Sequence, residues 1–416
     1  MLQAEYVYVF YGYGNEFADR FLQNGGHCQP VLFEHPSDPS IGSFELKNFY
    51  TLKNLIEEKS IDCEFVVQPG VRAIYSQHIL DELAAAMEQV RKVAPQQADM
   101  MRIVTERDEL NALRIPTALG AVVTSVAGRM WPYKFVSRIL EDLLTKELPE
   151  GKKFNLQTLT PVKSISQSSD SGHQVVHTSR GSISAKKVIL ATNGYTSHLL
   201  PSFASLIVPC RGQMSALVPP PSLSSASRLT NSYGFLGDGI DDYLIQRPSE
   251  RGEHLMFGGG RQHGRSMGTT DDNVIERDVA QYLRSRLIEA FNLPEGGSEG
   301  LKELKAEFQW TGVMGYSRDD LPWVGPVPAK GADGVFMAAG YTGHGMPNTW
   351  LCGKAVAMMV LNAFNGKETM EHVRDETGLP KSYLTSADRV KKAMAGQSVE
   401  SKDWAEMARG RMQGLI

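Results

Sequence analysis

The fold of this chain is decided by the stretch Val335-Phe336-Met337-Ala338-Ala339-Gly340-Tyr341-Thr342-Gly343-His344-Gly345-Met346. Its first five residues predict a buried strand, and the apolar segment from about Pro347 to the residue before Gly366 predicts a helix. Three glycines between them allow the backbone to approach a ligand closely, and a helix N-terminus directs N–H groups and partial positive charge at it. Such a turn suits an electron-rich ring edge, although a tight turn without a ligand explains a lone glycine-rich segment equally well.

Further motifs accompany this turn in a fixed order along the chain. Each alone has an ordinary local explanation, since an N-G-G is usually a turn and a loop histidine is usually only hydrogen-bonded. Together they are similar to the motifs of the D-amino-acid-oxidase-like superfamily of FAD-dependent amine and amino-acid oxidoreductases, with its gamma-glutamylputrescine oxidoreductase and glycine- and sarcosine-oxidase-like members. The resemblance covers about Leu22 to Phe364 and rests on Asn24–Pro30, Thr160–Val162, Val188–Tyr195, Ile207–Met214, Asp242–Pro248, Trp310–Tyr316 and Asp320–Pro326.

The resemblance implies an α/β (α+β) fold, with a FAD/NAD(P)-binding Rossmann-like domain and an antiparallel-sheet substrate domain. It implies FAD as a non-covalent cofactor, because no cysteine stands where related enzymes attach flavin. The N-G-G loop would lie against the flavin ring, Val162 would meet adenine, and the end of the Val188–Tyr195 strand would return beneath the cofactor. The implied cofactor-binding residues are Asn24, Gly25, Gly26, His27, Val162, Thr192, Asn193, Gly194, Gly312, Gly340, Gly343, Gly345 and Met346.

On the substrate side, the resemblance implies hydride transfer from the carbon beside a neutral amine to the flavin, followed by imine hydrolysis. Met314 and Gly343 stand where amino-acid oxidases of this group often carry arginines for the substrate carboxylate. An amine or a modified amino compound, such as a conjugated polyamine, is therefore expected rather than a free amino acid. Met256 replaces a lysine that assists reaction with oxygen in sarcosine-oxidase-like members, which favours a dehydrogenase or an oxidase activated otherwise and leaves the electron acceptor open.

Three side chains are candidates for contact with the substrate: Tyr243, Arg211 and His344. Each also has a structural explanation. Tyr243 could pack in a sheet, Arg211 could form surface or backbone hydrogen bonds, and His344 could stabilise its own turn.

The composition favours a small-molecule partner. Among 416 residues, 43 Lys and Arg face 47 Asp and Glu without long runs of one sign, so no nucleic-acid or anionic-membrane surface is indicated. The cysteines lie far apart in sequence, and neither disulfides nor a metal site are expected. No stretch reaches the ~18 apolar residues of a membrane span, and a cytoplasmic location is expected.

Periodicity predicts helices at about Ile79–Val93 and Pro132–Glu147, and a strand-rich meander from Phe154 to Thr192 with strands at Phe154–Thr160, Val162–Ser166, Gln174–Thr178 and Lys187–Ala191. Further strands are expected at Tyr243–Gln246 and Leu255–Gly258. The expected FAD-binding domain combines 1–47, 128–205 and 311–366, the substrate domain combines 48–127 and 206–310, and 367–416 is a C-terminal extension. The extension is expected to form surface helices, including 386–395 and 403–412, or to be partly disordered, with no chemistry.

The N-terminus departs from the family pattern. Members open with a strand, a G-x-G-x-x-G turn, a helix and a second strand, whereas only 23 residues precede Asn24 here. Gly12–Phe17 imitates half of that motif and is interpreted as a chance match. The expected Rossmann-like domain is therefore N-terminally truncated, which would leave a neighbouring strand edge unpaired and the chain colourless. The rival hypothesis is a non-catalytic remnant or an incomplete gene model that cannot hold FAD.

Overall fold

The computed structural model describes residues 2–9, 24–146, 154–169, 171–296, 300–365 and 369–399, with residues 2–9 described by their backbone alone. The strands are β1 Leu2–Val9, β2 His27–Cys28, β3 Val66–Ile74, β4 Met101–Val104, β5 Gly120–Arg129, β6 Val162–Gln167, β7 Gln174–Thr178, β8 Gly181–Leu190, β9 Ile207–Leu217, β10 Ser232–Gly237, β11 Ile240–Gln246, β12 Leu255–Gly258, β13 Ala306–Ser317, β14 Trp323–Pro326 and β15 Val335–Ala339.

The α-helices are α1 Pro39–Glu58, α2 Gln77–Val93, α3 Pro95–Ala98, α4 Arg107–Ala112, α5 Pro132–Thr145, α6 Thr196–Leu199, α7 Arg277–Ala290, α8 Thr349–Asn365, α9 Met370–Thr377 and α10 Ala387–Ala395. Short 3-10 helices lie at Asn193–Tyr195, Pro201–Phe203, Pro221–Leu223, Ser225–Ser227, Ser249–Arg251, Arg261–His263, Pro294–Gly296 and Lys381–Tyr383. The two amphipathic helices predicted from periodicity are thus confirmed as α2 and α5.

Two sheets organise the described chain. The smaller has the order β14-β15-β8-β7-β6, with β1 also paired to β8. The larger has the order β13-β9-β12-β11-β10-β3-β5-β2, with β4 paired to β5. Its pairs are antiparallel apart from β3 with β10. The strands of the smaller sheet all lie within the residue ranges expected for the FAD-binding domain. The larger sheet also contains β2 and most of β13, which lie within those same ranges, and the domain boundaries stay a prediction.

The centre of the smaller sheet is parallel. Val335–Met337 of β15 pairs with Val188–Leu190 of β8. Strand β8 also pairs in parallel with β1, from Ile183 to Leu190. Because parallel strands end at one edge of a sheet, the segments after β8 and β15 emerge side by side. The expectation of an unpaired edge on a neighbouring strand is wrong for β8, since β1 pairs along it. The Gly12–Phe17 segment lies outside the described residues.

The strands predicted from periodicity are confirmed except in one segment. Phe154–Thr160 forms no strand: its backbone turns before Pro161, and Leu159 has a left-handed φ of 52°. Proline and a left-handed residue both interrupt an extended ladder. The expected strand at Lys187–Ala191 instead begins at Gly181, where a turn reverses the chain from β7 into β8.

The described part of the C-terminal extension, 369–399, contributes several side chains to the packed core. Val373, Leu379 and Tyr383 are buried together with Phe44 of α1 and with α8. The helix expected at 386–395 is confirmed as α10, and most residues of α9 and α10 are exposed. The sequence did not predict which side chains of this segment enter the core, because single buried side chains between polar ones carry no periodic signal. The expected helix at 403–412 lies outside the described residues.

Candidate functional site

Three motifs meet where β8 and β15 end. The Asn193 side-chain oxygen accepts hydrogen bonds from the N–H groups of Gly340 at 3.1 Å and Tyr341 at 3.3 Å. A Cβ on Gly194 would lie 2.5 Å from the carbonyl oxygen of Met314, so β13 passes directly over this turn. Asn193 itself has a φ of 40°, which a short polar side chain tolerates. The strand-end motif therefore holds the glycine turn in place.

The glycine turn is also attached to β13. Thr342 donates its N–H to the Gly315 carbonyl at 2.7 Å, and its hydroxyl accepts the N–H of Ser317 at 3.0 Å. Thr342 is buried and has a φ of 50°. Strand β13 and the Asn193 side chain thus fix the path of residues 340–342 at the start of the turn.

The end of this turn carries N–H groups that the described protein does not use. The amides of Gly343, Gly345 and Met346 donate to no acceptor within the described residues. They precede the N-terminus of a 17-residue helix, where partial positive charge accumulates. A Cβ on Gly345 would meet protein atoms only at 3.5 Å and beyond, which is ordinary contact. The turn therefore offers donors and space to an electron-rich group.

The N-G-G loop lies against the larger sheet. Gly25 donates its N–H to the Tyr243 hydroxyl at 2.9 Å, and Gly26 donates to the Asn24 side-chain oxygen at 2.8 Å. Gly26 has a φ of +80°, and a Cβ there would collide with the carbonyl oxygen of Met130. Glycine is required at 26 by both conformation and packing.

Tyr243 and His27 form the polar part of this contact, with ring centroids 5.8 Å apart. Burial raises the pKa of Tyr243 to about 12, against the opposing effect of the Gly25 N–H. Burial also lowers the pKa of His27 to about 4, aided by the positive charge of Arg72 and opposed by its hydrogen bond to Gln29. Both side chains are therefore neutral at neutral pH. The Tyr243 hydroxyl donates to the sulfur of Met214 at 3.0 Å.

His344 contacts a carboxylate that sequence reasoning missed. Glu45 of α1 is buried; its Oε1 lies 2.9 Å from His344 Nε2, and its Oε2 accepts the N–H of Val31 at 2.8 Å. Asn348 donates to Glu45 Oε1 at 3.0 Å. A signal existed in the sequence: Glu45 and Asn48 occupy the buried face of α1 at the spacing of its apolar residues.

Arg211 is placed apart from Tyr243. It lies three residues before Met214 on β9 and therefore points to the other face of that strand. Its guanidinium pairs with the Glu276 carboxylate and donates to the carbonyl oxygens of Asp271 at 2.8 Å and Arg265 at 3.0 Å. Among the three candidates for substrate contact, Arg211 thus binds the segment before α7 and lies apart from Tyr243.

The other predicted residues are spread along the two sheets. Gly312 of β13 pairs with Gly212 of β9, and Thr192 hydrogen-bonds Thr196 at 2.8 Å after β8. Met346 packs against the hydrophobic cluster that contains Met130 and Phe135, whereas Val162 begins β6 in the core of the smaller sheet. The structure joins Asn193 to Gly340 at the start of the glycine turn that carries Gly343 and Gly345, and it separately joins the N-G-G loop to Tyr243.

The sequence of this chain is similar to those of known proteins. The model of the family described as FAD dependent oxidoreductase (DAO) matches residues 22–359. Probable oxidoreductase OrdL of Rhizobium meliloti (strain 1021) is 28% identical over 205 residues, which are 48% of this chain and 40% of that protein. Gamma-glutamylputrescine oxidoreductase of Escherichia coli (strain K12) is 22% identical over 327 residues, 77% of this chain and 67% of that protein.

Among solved structures, glycine oxidase from Geobacillus kaustophilus superposes with a TM-score of 0.66 at 19% identity, covering 88% of this chain and 89% of that one. Fructosamine oxidase from Aspergillus fumigatus superposes with a TM-score of 0.61 at 12% identity, covering 90% and 81%. At such identities the likeness concerns the fold, and it confirms the predicted combination of a Rossmann-like sheet and a second sheet. In the described ranges, no helix combines the length and apolarity needed to cross a membrane.

Proposed function

Because the chain belongs to the family of FAD-dependent oxidoreductases, we propose that it oxidises the C–N bond of an amine, with FAD bound non-covalently at the turn before α8. The observation that carries the proposal is the set of N–H groups of Gly343, Gly345 and Met346 in the turn before α8, which donate to no acceptor among the described residues. Donors and partial positive charge stabilise an electron-rich ring edge there. FAD, when bound, supplies the acceptor for the hydride that leaves the substrate carbon.

The chain's own residues position the reactants rather than act as strong acids or bases. His27 and Tyr243 are neutral at neutral pH, which favours an uncharged amine beside them. Met314 offers no charge to a carboxylate next to the reacting carbon, and Arg211 is engaged with Glu276. These features support an amine or a modified amino compound as substrate, for example a conjugated polyamine. His344 is proposed to contact the substrate or the flavin edge from the turn.

The test of the FAD site is Gly345→Ala. The protein itself accepts a Cβ at this position, so the variant should fold, while a flavin edge beside residue 345 would be displaced. Overpacking of roughly 1–3 kcal/mol predicts FAD binding weaker by about tenfold, measured by flavin fluorescence titration. The matched control is Gly353→Ala within α8, where a Cβ meets nothing within 4 Å.

Equal FAD affinity in Gly345→Ala and Gly353→Ala would show that the flavin does not bind beside residue 345. The reaction class is tested separately by anaerobic loss of flavin absorbance on addition of amines. A chain that holds no FAD at all would favour the non-catalytic alternative instead.

A further inference from the structure

The segment 369–399 begins beyond residues 22–359, which the family model matches, yet it packs against elements that lie around the glycine turn. Val373 and Leu379 are buried with Val356 of α8, and Leu384 forms a parallel bridge with Val324 of β14. Lys47 of α1 donates to the Glu376 carbonyl at 2.8 Å. The segment therefore contacts both helices, α1 and α8, that flank the turn.

Arg389 of α10 anchors the segment to the loop before β14. Its guanidinium donates to both carboxylate oxygens of Asp319, at 2.8 and 3.0 Å, and lies 3.9 Å from the centre of the Trp323 ring. It also donates to the carbonyl oxygens of Pro322 at 2.8 Å and Tyr383 at 2.7 Å. Because the guanidinium is both paired with a carboxylate and stacked on a ring, its orientation is fixed. Its hydrogen bond to the Tyr383 carbonyl therefore fixes the backbone position of Tyr383.

Tyr383 reaches the turn through Asn348. Its hydroxyl donates to the Asn348 Oδ1 at 3.0 Å, while the Asn348 Nδ2 donates to Glu45 Oε1 and to the His344 carbonyl, both at 3.0 Å. Tyr383, Asn348 and Glu45 are all buried. An amide has one acceptor and two donor hydrogens, so the Tyr383 hydroxyl selects the orientation in which Nδ2 faces the carboxylate.

The reverse orientation of Asn348 would be unfavourable. It would turn the amide oxygen toward the Glu45 carboxylate and the His344 carbonyl, placing acceptor against acceptor in a buried site. The carboxylate of Glu45 in turn lies 2.9 Å from the His344 ring. The orientation of one amide thus determines the partners of the side chain and the backbone of His344.

We propose that Tyr383, from outside the matched family region, is a positioning residue for the His344 turn and acts through Asn348 and Glu45. The inference rests on the proposed function, because its purpose is to present the turn's N–H groups to FAD. The C-terminal segment would then help to position the candidate site.

The experiment compares Tyr383→Phe with Ser382→Ala in the full chain. Phe keeps the ring that meets Phe44 edge-on at 5.6 Å but cannot donate to Asn348. Ser382→Ala removes a hydrogen bond of 2.9 Å from the same segment to Asp38, away from the amide. Tyr383→Phe should weaken FAD binding about fivefold, the equivalent of one hydrogen bond, and Ser382→Ala should leave it unchanged.

Two further measurements separate positioning from a loss of stability. The ring nitrogen NMR signals of His344, recorded without FAD, should change in Tyr383→Phe and stay unchanged in Ser382→Ala. In an Asn348→Ala background, Tyr383→Phe should change FAD affinity less than twofold, because the connecting amide is gone.

A fivefold effect that persists in the Asn348→Ala background, or an equal effect of Ser382→Ala, would overturn the proposal. If Tyr383→Phe binds FAD as the parent chain does, the positioning role is wrong and the proposed function stands. If the parent chain itself binds no FAD, the proposed function fails, and unchanged His344 signals in Tyr383→Phe would then reject the positioning role independently.

Discussion

Replacement of Asp242 by asparagine should change how the stability of the protein depends on pH. Asp242 is 3% exposed and accepts the N–H of Gly260 at 2.7 Å and the Tyr282 hydroxyl at 2.6 Å. Burial raises its pKa from the usual 3.8 to about 6, opposed by those two hydrogen bonds and the positive charge of Arg286 and reinforced by the carboxylate of Asp241.

The sign follows from proton binding. Between the two pKa values the folded chain holds a proton on Asp242 that the unfolded chain has lost, so stability falls as pH rises through about 6. From about pH 5 to about pH 7, the stabilisation contributed by this proton falls from about 1.4 to about 0.1 kcal/mol, a loss of about 1.3 kcal/mol. The Asp242→Asn variant has no titrating proton at this position and should lose none of this.

The assay is guanidinium unfolding of the parent chain and of Asp242→Asn at both pH values, with the exposed Asp238→Asn as control. The quantity to compare is the difference in unfolding free energy between variant and parent. It should move by about 1.3 kcal/mol in favour of Asp242→Asn on going from about pH 5 to about pH 7. A difference that stays constant with pH would refute the argument that burial holds this carboxyl protonated.

Two further outcomes are expected. Gly26→Ala should lower the unfolding free energy by about 2–4 kcal/mol, because the position combines a left-handed φ with a collision between the new Cβ and the Met130 carbonyl. The control is Gly172→Ala, where φ is +67° but the space is open, so that this variant measures the cost of the backbone conformation alone. An equal loss of unfolding free energy in both variants would show that the collision with Met130 contributes nothing. In a substrate panel, amines without a free α-carboxylate should exceed glycine and D-alanine in kcat/KM by about tenfold or more, since Met314 cannot replace a charge-assisted pair. Glycine or D-alanine as the best substrate would contradict this.

The parts of the fold that sequence predicted are those with strong local signals. The apolar run of β15 and its glycine turn, the Gln174–Thr178 strand and the helix from Gln77 to Val93 each show in composition and period alone. Phe154–Thr160 has a similar apolar and polar alternation, yet no neighbouring strand pairs with it among the described residues. Pairing is decided by tertiary structure, which a local pattern does not contain.

The candidate site shows the same division. The motifs named the segments of the candidate site. Asn193 joins the end of β8 to the glycine turn, whereas the N-G-G loop forms a separate contact with Tyr243. Glu45 and Tyr383 were missed because their significance depends on partners about 300 and 35 residues away in sequence, His344 and Asn348. The role of Arg211 likewise depended on which face of β9 it occupies relative to Glu276.

The glycines of the motifs differ in how closely protein atoms surround them, and this difference separates Gly345 from Gly194 and Gly340. Gly194 is required by the Met314 carbonyl, and Gly340 combines a φ of +78° with close packing against Trp323 and Ile207. Protein atoms therefore account for both. Gly345 has no such constraint, because a Cβ there meets only ordinary contacts, and its N–H has no acceptor among the described residues. The proposed FAD would account for a glycine at this position, so residue 345 is the point at which to test the proposed cofactor site.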